Sequence, residues 1–377
     1  MQRINVNKPY LPDKNKYFKY LDKIWENNHL TNFGPLSLEL ENRLCEFLGV
    51  DNILFLANGT LALQVAYKLA GLKAKDKILT TPFSFVATTD TVMWENIEPI
   101  FCDINAKSLC IDEILLDSML TKSSVESKIE SNIDSQITHN IKAILPVHTF
   151  GNTCDLEKLE QIAKKHHLKI IYDAAHAFGV KYKNKSVFSY GDISTISFHA
   201  TKIFHSIEGG AIIFRDKSLK DEAKSIINFG LKNNMPEVLG INAKNSEFHA
   251  AMGLCVLDDM HYILEDRKRV WEYYFKHLKD IFEFQILNPN INNNYHYFPI
   301  LCESEESLLE KIRILNSNNI FPRRYFYPSL DTLSFYNKSN AKSCKISQDI
   351  ASRILCLPIY VGLEQESQDK IIKCLIS

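Results

Sequence analysis

KIIYDAAH, at residues 169–176, decides the fold, because a short apolar strand, Lys169–Tyr172, ends there in an acid, Asp173. Similar apolar runs precede and follow it, separated by segments of helical period, from about residue 52 to about residue 215. Strands that alternate with helices of this length indicate an α/β domain with a mainly parallel sheet. Ligands bind at the carboxyl ends of the strands in such sheets, which is where Asp173 is expected.

The remaining elements extend this pattern on both sides. A long helix at Arg267–Phe282 leads away from the α/β block, and alternating short strands and helices follow it. We therefore predict a large domain at residues 1–250, which includes an N-terminal arm, and a smaller α+β domain at 251–377. The polar stretch Ser123–Asn140 is predicted to be an exposed excursion. The strands predicted for the large domain are Asn52–Leu56, Lys77–Thr80, Pro99–Asp103, Lys142–Val147, Lys169–Tyr172, Ser194–Phe198 and Gly210–Phe214. The helical stretches predicted between them are Leu61–Leu69, Phe83–Trp94 and Leu156–His166.

Composition excludes several classes of protein. Of the 377 residues, 45% are hydrophobic and 24% are charged, as in ordinary globular proteins. The 44 Lys and Arg residues nearly balance the 45 Asp and Glu residues, which disfavours a nucleic-acid partner. No apolar run is long enough to span a bilayer, and the first residues have no apolar core of a secretory signal. Because the nine cysteines form no C-x-x-C pair, we expect reduced thiols and a cytoplasmic location.

The first candidate site is Asn58-Gly59-Thr60, between a predicted strand and a predicted helix. Gly59 permits close backbone approach, and the N–H groups at a helix start bind anions. The hydroxyl of Thr60 adds a further donor. The alternative is that these residues only cap the helix.

Asp173 and Lys202 are the candidates for charge and nucleophilic chemistry. An acid at the end of a buried strand can be held against a cationic nitrogen of a ligand, although it can also simply cap a turn. Lys202 is the only Lys, Arg, Asp or Glu between Asp192 and Glu208. Apolar surroundings lower the pKa of a lysine and make its amine nucleophilic, whereas most lysines simply lie on the surface.

Phe85 follows the strand Lys77–Thr80 and offers a flat face for stacking, although an aromatic here is more often core. Taken together, the candidates fit a flat, cationic ring that carries a phosphate and an aldehyde. Lys202 would form the Schiff base, Asp173 would keep the ring nitrogen protonated, and Phe85 would stack. The phosphate would be held by Gly59, Thr60 and Ser197. That ligand is pyridoxal 5′-phosphate (PLP).

Six motifs occur along the chain in the order NGTLAL (58–63), TPFSFVAT (81–88), PVHTFG (146–151), DAAHAFG (173–179), GDISTISFHATK (191–202) and EGGA (208–211). Together they resemble the DegT/DnrJ/EryC1/StrS family of sugar-nucleotide aminotransferases. The resemblance extends from Leu30–Leu36 to Leu357–Ile359 and implies the aspartate-aminotransferase-like PLP fold, type I. One departure is Asn245, where the family pattern has Met before Ser-Glu.

The resemblance also implies roles for individual residues. Lys202 and Asp173 match the lysine bonded to PLP and the partner of the ring nitrogen. His176 matches a residue beside the cofactor's phenolic oxygen and ring, and Phe85 the aromatic residue that covers the ring. Asn242 matches an asparagine that reaches the phosphate of the neighbouring subunit, which implies a homodimer with shared active sites. Gly59, Thr60 and Ser197 match the phosphate ligands.

The implied reaction moves an amino group from glutamate to C4 of a nucleotide-linked 4-keto-6-deoxy sugar. Lys202, where some relatives that remove a hydroxyl have His, favours transamination, and His176 is typical of the branch that aminates C4. The implied product is dTDP-4-amino-4,6-dideoxy-D-glucose, for O-antigen or another surface polysaccharide. A UDP- or GDP-linked substrate and amination at C3 remain alternatives.

Two other classes of protein compete with this interpretation. A metal-dependent hydrolase is suggested by His148, His176, His199 and His205, but their spacing matches no compact zinc motif. A non-catalytic sensor on the same fold would need an added module or a lost lysine, and neither is found. Candidates for contact with the sugar are Asn32, His148 and Tyr327, and for each a structural role is at least as probable.

Overall fold

The computed structural model describes residues 3–126, 140–336 and 344–376. The predicted excursion at Ser123–Asn140 begins inside a helix, Glu113–Glu126, and its residues 127–139 lie outside the described part of the chain. In chain order the strands are β1 (Ile4–Asn5), β2 (Leu54–Leu56), β3 (Lys77–Thr80), β4 (Glu98–Phe101), β5 (Ile141–Leu145), β6 (Lys169–Asp173), β7 (Lys181–Tyr182), β8 (Lys185–Ser186), β9 (Ile193–Ser197), β10 (Gly210–Phe214), β11 (Leu231–Lys232), β12 (Met235–Pro236), β13 (Pro299–Leu301), β14 (Ile320–Phe321) and β15 (Ile354–Cys356).

Seven of these strands form the central sheet, in the order β2-β10-β9-β6-β5-β3-β4. Only β10 runs against its neighbours, so the other six strands are parallel to one another. The predicted mainly parallel, mixed sheet is therefore confirmed. Because β2, β6 and β9 point the same way, their carboxyl ends lie at one edge of the sheet, which we call the rim.

Alternate residues along a strand point to opposite faces of the sheet. Both faces are buried, because each is covered by a hydrophobic cluster. On β2, Leu54 and Leu56 belong to one hydrophobic cluster, whereas Phe55 belongs to the other. Helices cover both clusters, and each helix faces its cluster with apolar residues that recur at helical spacing. The α-helices of the whole described chain, including its C-terminal part, are Lys14–Asn27, Pro35–Leu48, Gly59–Leu69, Val86–Trp94, Glu113–Glu126, Leu156–His166, Leu219–Ile226, Glu247–Asp258, Met260–Leu278, Glu305–Ser317, Lys345–Arg353 and Gln365–Ile376.

The C-terminal part has a hydrophobic cluster of its own, in which Val270 and Ile300 are completely buried. The N-terminal segment joins this part, since β1 pairs in parallel with β14 and the carbonyl of Val6 accepts a hydrogen bond from the N–H of Ile359 (3.1 Å). The predicted boundary at residue 250 falls within the helix Glu247–Asp258, and the division into two domains stays a prediction.

Most predicted elements agree with the structure to within a few residues. The helix Leu156–His166 and the strand Gly210–Phe214 begin and end as predicted. The stretch predicted as helical from Phe83 becomes a helix only at Val86. Among the described residues, no helix combines the length and the apolar character that a membrane span requires.

Candidate active site

The rim brings the predicted residues together from separate strands. Asp173 is the last residue of β6, and Ser197 is the last residue of β9. Asn58-Gly59-Thr60 follows β2 after a single residue, Ala57. These three points are distant in sequence but share one edge because their strands are parallel. The structure therefore places these residues at the edge of the sheet where the α/β pattern predicts a ligand.

Lys202 lies in the loop between β9 and β10. The loop is closed by hydrogen bonds from the Phe198 N–H to the Gly209 carbonyl (2.8 Å) and from the Ser206 N–H to the Phe198 carbonyl (3.0 Å). The Lys202 side chain is partly buried, and burial lowers its pKa to about 8, against the opposing effect of the Asp173 carboxylate. A substantial fraction of the amine is therefore neutral near pH 8, as a nucleophile requires.

Asp173 is almost completely buried and is held by two donors. Thr88 Oγ1 donates to its Oδ2 (2.7 Å), and the Ala175 N–H donates to its Oδ1 (3.2 Å). Burial raises the pKa of Asp173, whereas these two hydrogen bonds and the charge of Lys202 lower it. A carboxylate in such a site gains from a cationic partner, because the partner replaces the lost hydration. The site thus fits a protonated ring nitrogen.

Asn58-Gly59-Thr60 forms a cradle beside Ser197. Asn58 caps the helix by accepting a hydrogen bond from the Leu61 N–H (2.8 Å). The N–H groups of Gly59 and Thr60 belong to the first turn and have no intrahelical partner. A Cβ at Gly59 would lie 3.1 Å from the Cβ of Ser197, so the absence of a side chain lets the helix start approach the end of β9. This arrangement fits the phosphate of PLP.

His176 lies in the turn after β6, with its ring parallel to those of Phe150 and Phe326 (centroid distances 6.3 and 5.7 Å). Its Nδ1 accepts a hydrogen bond from the Phe150 N–H (3.3 Å), so its Nε2 carries the proton and donates to the hydroxyl of Tyr297 (3.3 Å). Burial lowers the pKa of His176 well below its usual value. His176 is therefore neutral and held in one tautomer.

Asn294 was not predicted, yet it fixes the His176 turn. Its buried Nδ2 donates to the carbonyls of His176 (2.8 Å) and Phe178 (3.1 Å), while its Oδ1 accepts from the His296 N–H (3.2 Å). Nothing in the sequence around Asn294 distinguishes it from its asparagine neighbours. Thr88, also missed, lies within the motif TPFSFVAT, one turn of helix after Phe85, and this spacing could have identified it.

Phe85 and Asn242 are both exposed in the single chain. Phe85 is the N-cap of the helix Val86–Trp94, and 58% of its surface is accessible. The Oδ1 of Asn242 accepts a hydrogen bond from Lys244 Nζ (2.8 Å). The stacking predicted for Phe85 and the phosphate contact predicted for Asn242 stay predictions.

The three candidates for sugar contact lie in different environments. His148 has no exposed surface and stacks on Tyr172, with ring centroids 4.6 Å apart. Tyr327 is half exposed, with the Arg324 guanidinium 3.4 Å from the centre of its ring. Asn32 is exposed and has a positive φ of 64°. Of the three, Asn32 and Tyr327 remain accessible to a ligand.

Three of the histidines that suggested a metal site, His176, His199 and His205, are hydrogen-bonded to other protein groups. The fourth, His148, is buried, and neither of its ring nitrogens has a hydrogen-bond partner. His205 Nε2 donates to the Tyr10 carbonyl (2.7 Å), and His199 Nδ1 bonds to Thr201 Oγ1 (2.8 Å). Within residues 3–126, 140–336 and 344–376, no group of three or more His, Cys, Asp or Glu side chains is placed to hold a metal ion.

Comparison with known proteins identifies relatives over the whole length of this chain. The chain is 39% identical to a dTDP-4-amino-4,6-dideoxy-D-glucose transaminase of Shigella dysenteriae, over 99% of this chain and 98% of that protein. It is 37% identical to a transaminase of the same name from Escherichia coli, with the same coverage. The solved structure of a putative PLP-dependent aminotransferase from Bacillus cereus superposes with a TM-score of 0.87 at 27% identity, and the full length of both chains is covered.

The family model for DegT/DnrJ/EryC1/StrS aminotransferases matches residues 12–376. Enzymes of this family are PLP-dependent transaminases. The fold agrees with this match, and the predicted resemblance is confirmed. The chain belongs to the DegT/DnrJ/EryC1/StrS aminotransferase family.

Proposed function

We propose that this enzyme transfers the amino group of glutamate to C4 of dTDP-4-keto-6-deoxy-D-glucose, giving dTDP-4-amino-4,6-dideoxy-D-glucose. The observation that carries the proposal is the 39% identity, over nearly the full length of both chains, to a transaminase named for that product. The positions of Lys202 and Asp173 on the rim support it. We further propose that the product serves O-antigen or lipopolysaccharide synthesis in the cytoplasm.

Bound PLP supplies an aldehyde carbon and a ring that withdraws electrons from the reacting carbon. The amine of Lys202 would bond to that aldehyde and, when released, carry a proton as general base and acid. Its pKa of about 8 suits both tasks, because the neutral and protonated forms are then both populated at physiological pH.

Asp173 would hold the proton on the ring nitrogen, and Thr88 would orient its carboxylate. The phosphate would be bound by the helix start at Gly59 and Thr60 and by the hydroxyl of Ser197. Phe85 would cover one face of the ring, and neutral His176 would lie beside it. These roles rest on the placement of the residues at one edge of the sheet.

We also propose a homodimer whose subunits share their active sites through Asn242. Several large apolar side chains in and beside the site segments are exposed in the single chain, which a dimer would cover. Their exposed fractions are 58% for Phe85, 54% for Phe229 and 77% for Leu239. Asn242 lies close in sequence to Leu239 and would reach the phosphate of the partner subunit.

The test is an assay of the purified protein with PLP, glutamate and 4-keto-6-deoxy sugars linked to dTDP, UDP or GDP. We expect turnover of the dTDP-sugar, and NMR of the product should show the new amine on C4. Lys202→Ala is the control and should show no turnover.

Preferential turnover of a GDP- or UDP-sugar would contradict the choice of nucleotide. The chain is also 28% identical to a GDP-perosamine synthase of Escherichia coli O157:H7 and to a UDP-sugar transaminase of Helicobacter pylori. An amine on C3 of the product would contradict the choice of position.

A further inference from the structure

Asn245 departs from the family pattern, and its amide joins two segments of the active site. Its Nδ2 donates to the Leu56 carbonyl (3.1 Å), at the end of β2, and to the Glu208 carbonyl (3.0 Å), at the end of the Lys202 loop. Its Oδ1 accepts a hydrogen bond from the Ser246 N–H (2.8 Å). Every hydrogen-bonding group of this side chain is thus paired with the backbone.

The first of these bonds sets the start of the phosphate cradle. Leu56 is the last residue of β2, and Asn58 caps the next helix two residues later. The neighbouring Ala243 carbonyl accepts a hydrogen bond from the Ala57 N–H (2.8 Å). The segment around Asn245 therefore holds the chain at two consecutive residues immediately before Asn58-Gly59-Thr60.

The second bond sets the end of the Lys202 loop. Glu208 precedes Gly209 and Gly210, where the loop returns to the sheet, and its carbonyl also accepts from Ser206 Oγ (3.1 Å). A Cβ at Gly210 would lie 2.4 Å from the carbonyl carbon of Asn58, so the loop end and the cradle are in close contact. A bridge from Leu56 to Glu208 consequently fixes the spacing between the two segments.

The residues that follow Asn245 are held in place by further hydrogen bonds. Ser246 caps the helix Glu247–Asp258, and the buried carboxylate of Glu247 accepts hydrogen bonds from the N–H groups of Leu36 (2.7 Å) and Ser37 (2.9 Å). These bonds tie the start of one helix to the start of another. The position of Asn245 is therefore set by helices outside the active site.

We propose that Asn245 is a positioning residue that holds the Asn58-Gly59-Thr60 cradle at the correct distance from Lys202 for a ligand bound at both ends. Such a ligand carries a phosphate for the cradle and an aldehyde for the lysine. The inference rests on the roles proposed above for Gly59, Thr60 and Lys202, but not on the identity of the sugar. Asn245 makes no contact with the ligand in this account.

The test compares the binding of PLP with that of pyridoxal, which has the aldehyde but lacks the phosphate. Asn245→Asp keeps the size of the side chain and replaces the two donated hydrogen bonds with repulsion between oxygens. We expect the dissociation constant for PLP, measured by absorbance titration of the apoenzyme, to rise about tenfold, the effect of losing one or two hydrogen bonds. The constant for pyridoxal should change less than about threefold.

Asn140→Asp is the matched control. Asn140 Nδ2 likewise donates to a backbone carbonyl, that of Lys75 (3.2 Å), but at the amino end of β5, on the opposite edge of the sheet from Asp173. This variant should leave the ratio of the two constants unchanged. Asn245→Ala, which introduces no charge, replaces Asn245→Asp if the latter does not fold, and the same rise in the PLP constant is expected of it.

An equal loss of affinity for both ligands would overturn the inference, because Asn245 would then support the fold and not the spacing. Unchanged affinity for both would overturn it as well. Sugar turnover is not measured in this test, so a wrong assignment of the sugar would leave its result valid.

Discussion

Thr88 Oγ1 and Asp173 Oδ2 lie 2.7 Å apart, and this hydrogen bond joins the helix after β3 to the end of β6. Thr88 in turn lies 2.7 Å from Ser84 Oγ, so a chain of hydroxyl groups leads from the turn before the helix to the buried carboxylate. The bond favours the ionised form of Asp173, against the burial that raises its pKa.

Thr88→Val should weaken the hold of Asp173 on the ring nitrogen, because valine has the same shape but donates no hydrogen bond. We expect kcat to fall about tenfold, the effect of one hydrogen bond to a charged group. Thr88→Ser should restore most of the activity. Thr91→Val, on the same helix, removes the bond to the hydroxyl of Tyr67 (3.0 Å) and should leave kcat nearly unchanged. Equal losses in Thr88→Val and Thr91→Val would contradict the prediction.

The rate at which the apoenzyme takes up PLP should depend on pH through Lys202. Only the neutral amine attacks an aldehyde, and burial lowers the pKa of Lys202 to about 8. The uptake rate, followed by stopped-flow absorbance, should therefore rise with pH through about 8 and then level off. In Asp173→Asn the midpoint should move to lower pH, because the carboxylate that favours the ammonium form is gone. A midpoint near that of a free lysine in the unaltered enzyme would contradict this account.

Asn294→Ala should destabilise the protein, because the carbonyls of His176 and Phe178 lose a buried donor. We expect the free energy of unfolding in urea to fall by about 2 kcal/mol. Asn292→Ala removes two exposed hydrogen bonds, one to the Gly179 carbonyl (3.3 Å) and one from the Lys181 N–H. Because water can replace both partners, this variant should cost less than about 1 kcal/mol. Equal costs for the two variants would show that Asn294 does not hold the His176 turn.

Mixing two inactive variants tests the shared active site. A mixed dimer has one Lys202→Ala subunit and one Asn242→Ala subunit. If Asn242 serves the partner subunit, both substitutions fall in one of the two active sites, and the other active site is intact. Equal mixing after subunit exchange should restore roughly a quarter of the activity expected from the same number of unaltered sites. No recovery, with exchange confirmed by mass spectrometry, would place Asn242 in the site of its own subunit.

The sequence alone predicted the sheet and the residues that follow its strands, because a parallel sheet brings its carboxyl ends to one edge. It could not predict Asn294 or the bonds of Asn245, since these residues act through backbone carbonyls far away along the chain. The start of the helix at Val86 was also missed. Before Val86 the Phe83 N–H donates to Thr81 Oγ1 (3.2 Å), and such a local side-chain bond to the backbone competes with an earlier helical turn.

The pairing of β1 with β14 has a consequence for synthesis on the ribosome. Ile4 leaves the exit tunnel long before its partner, Ile320, is translated. β1 is therefore unpaired while the strands of the central sheet are synthesised. β14 must leave the exit tunnel before the two strands can meet, so this small sheet is expected to form after the central sheet.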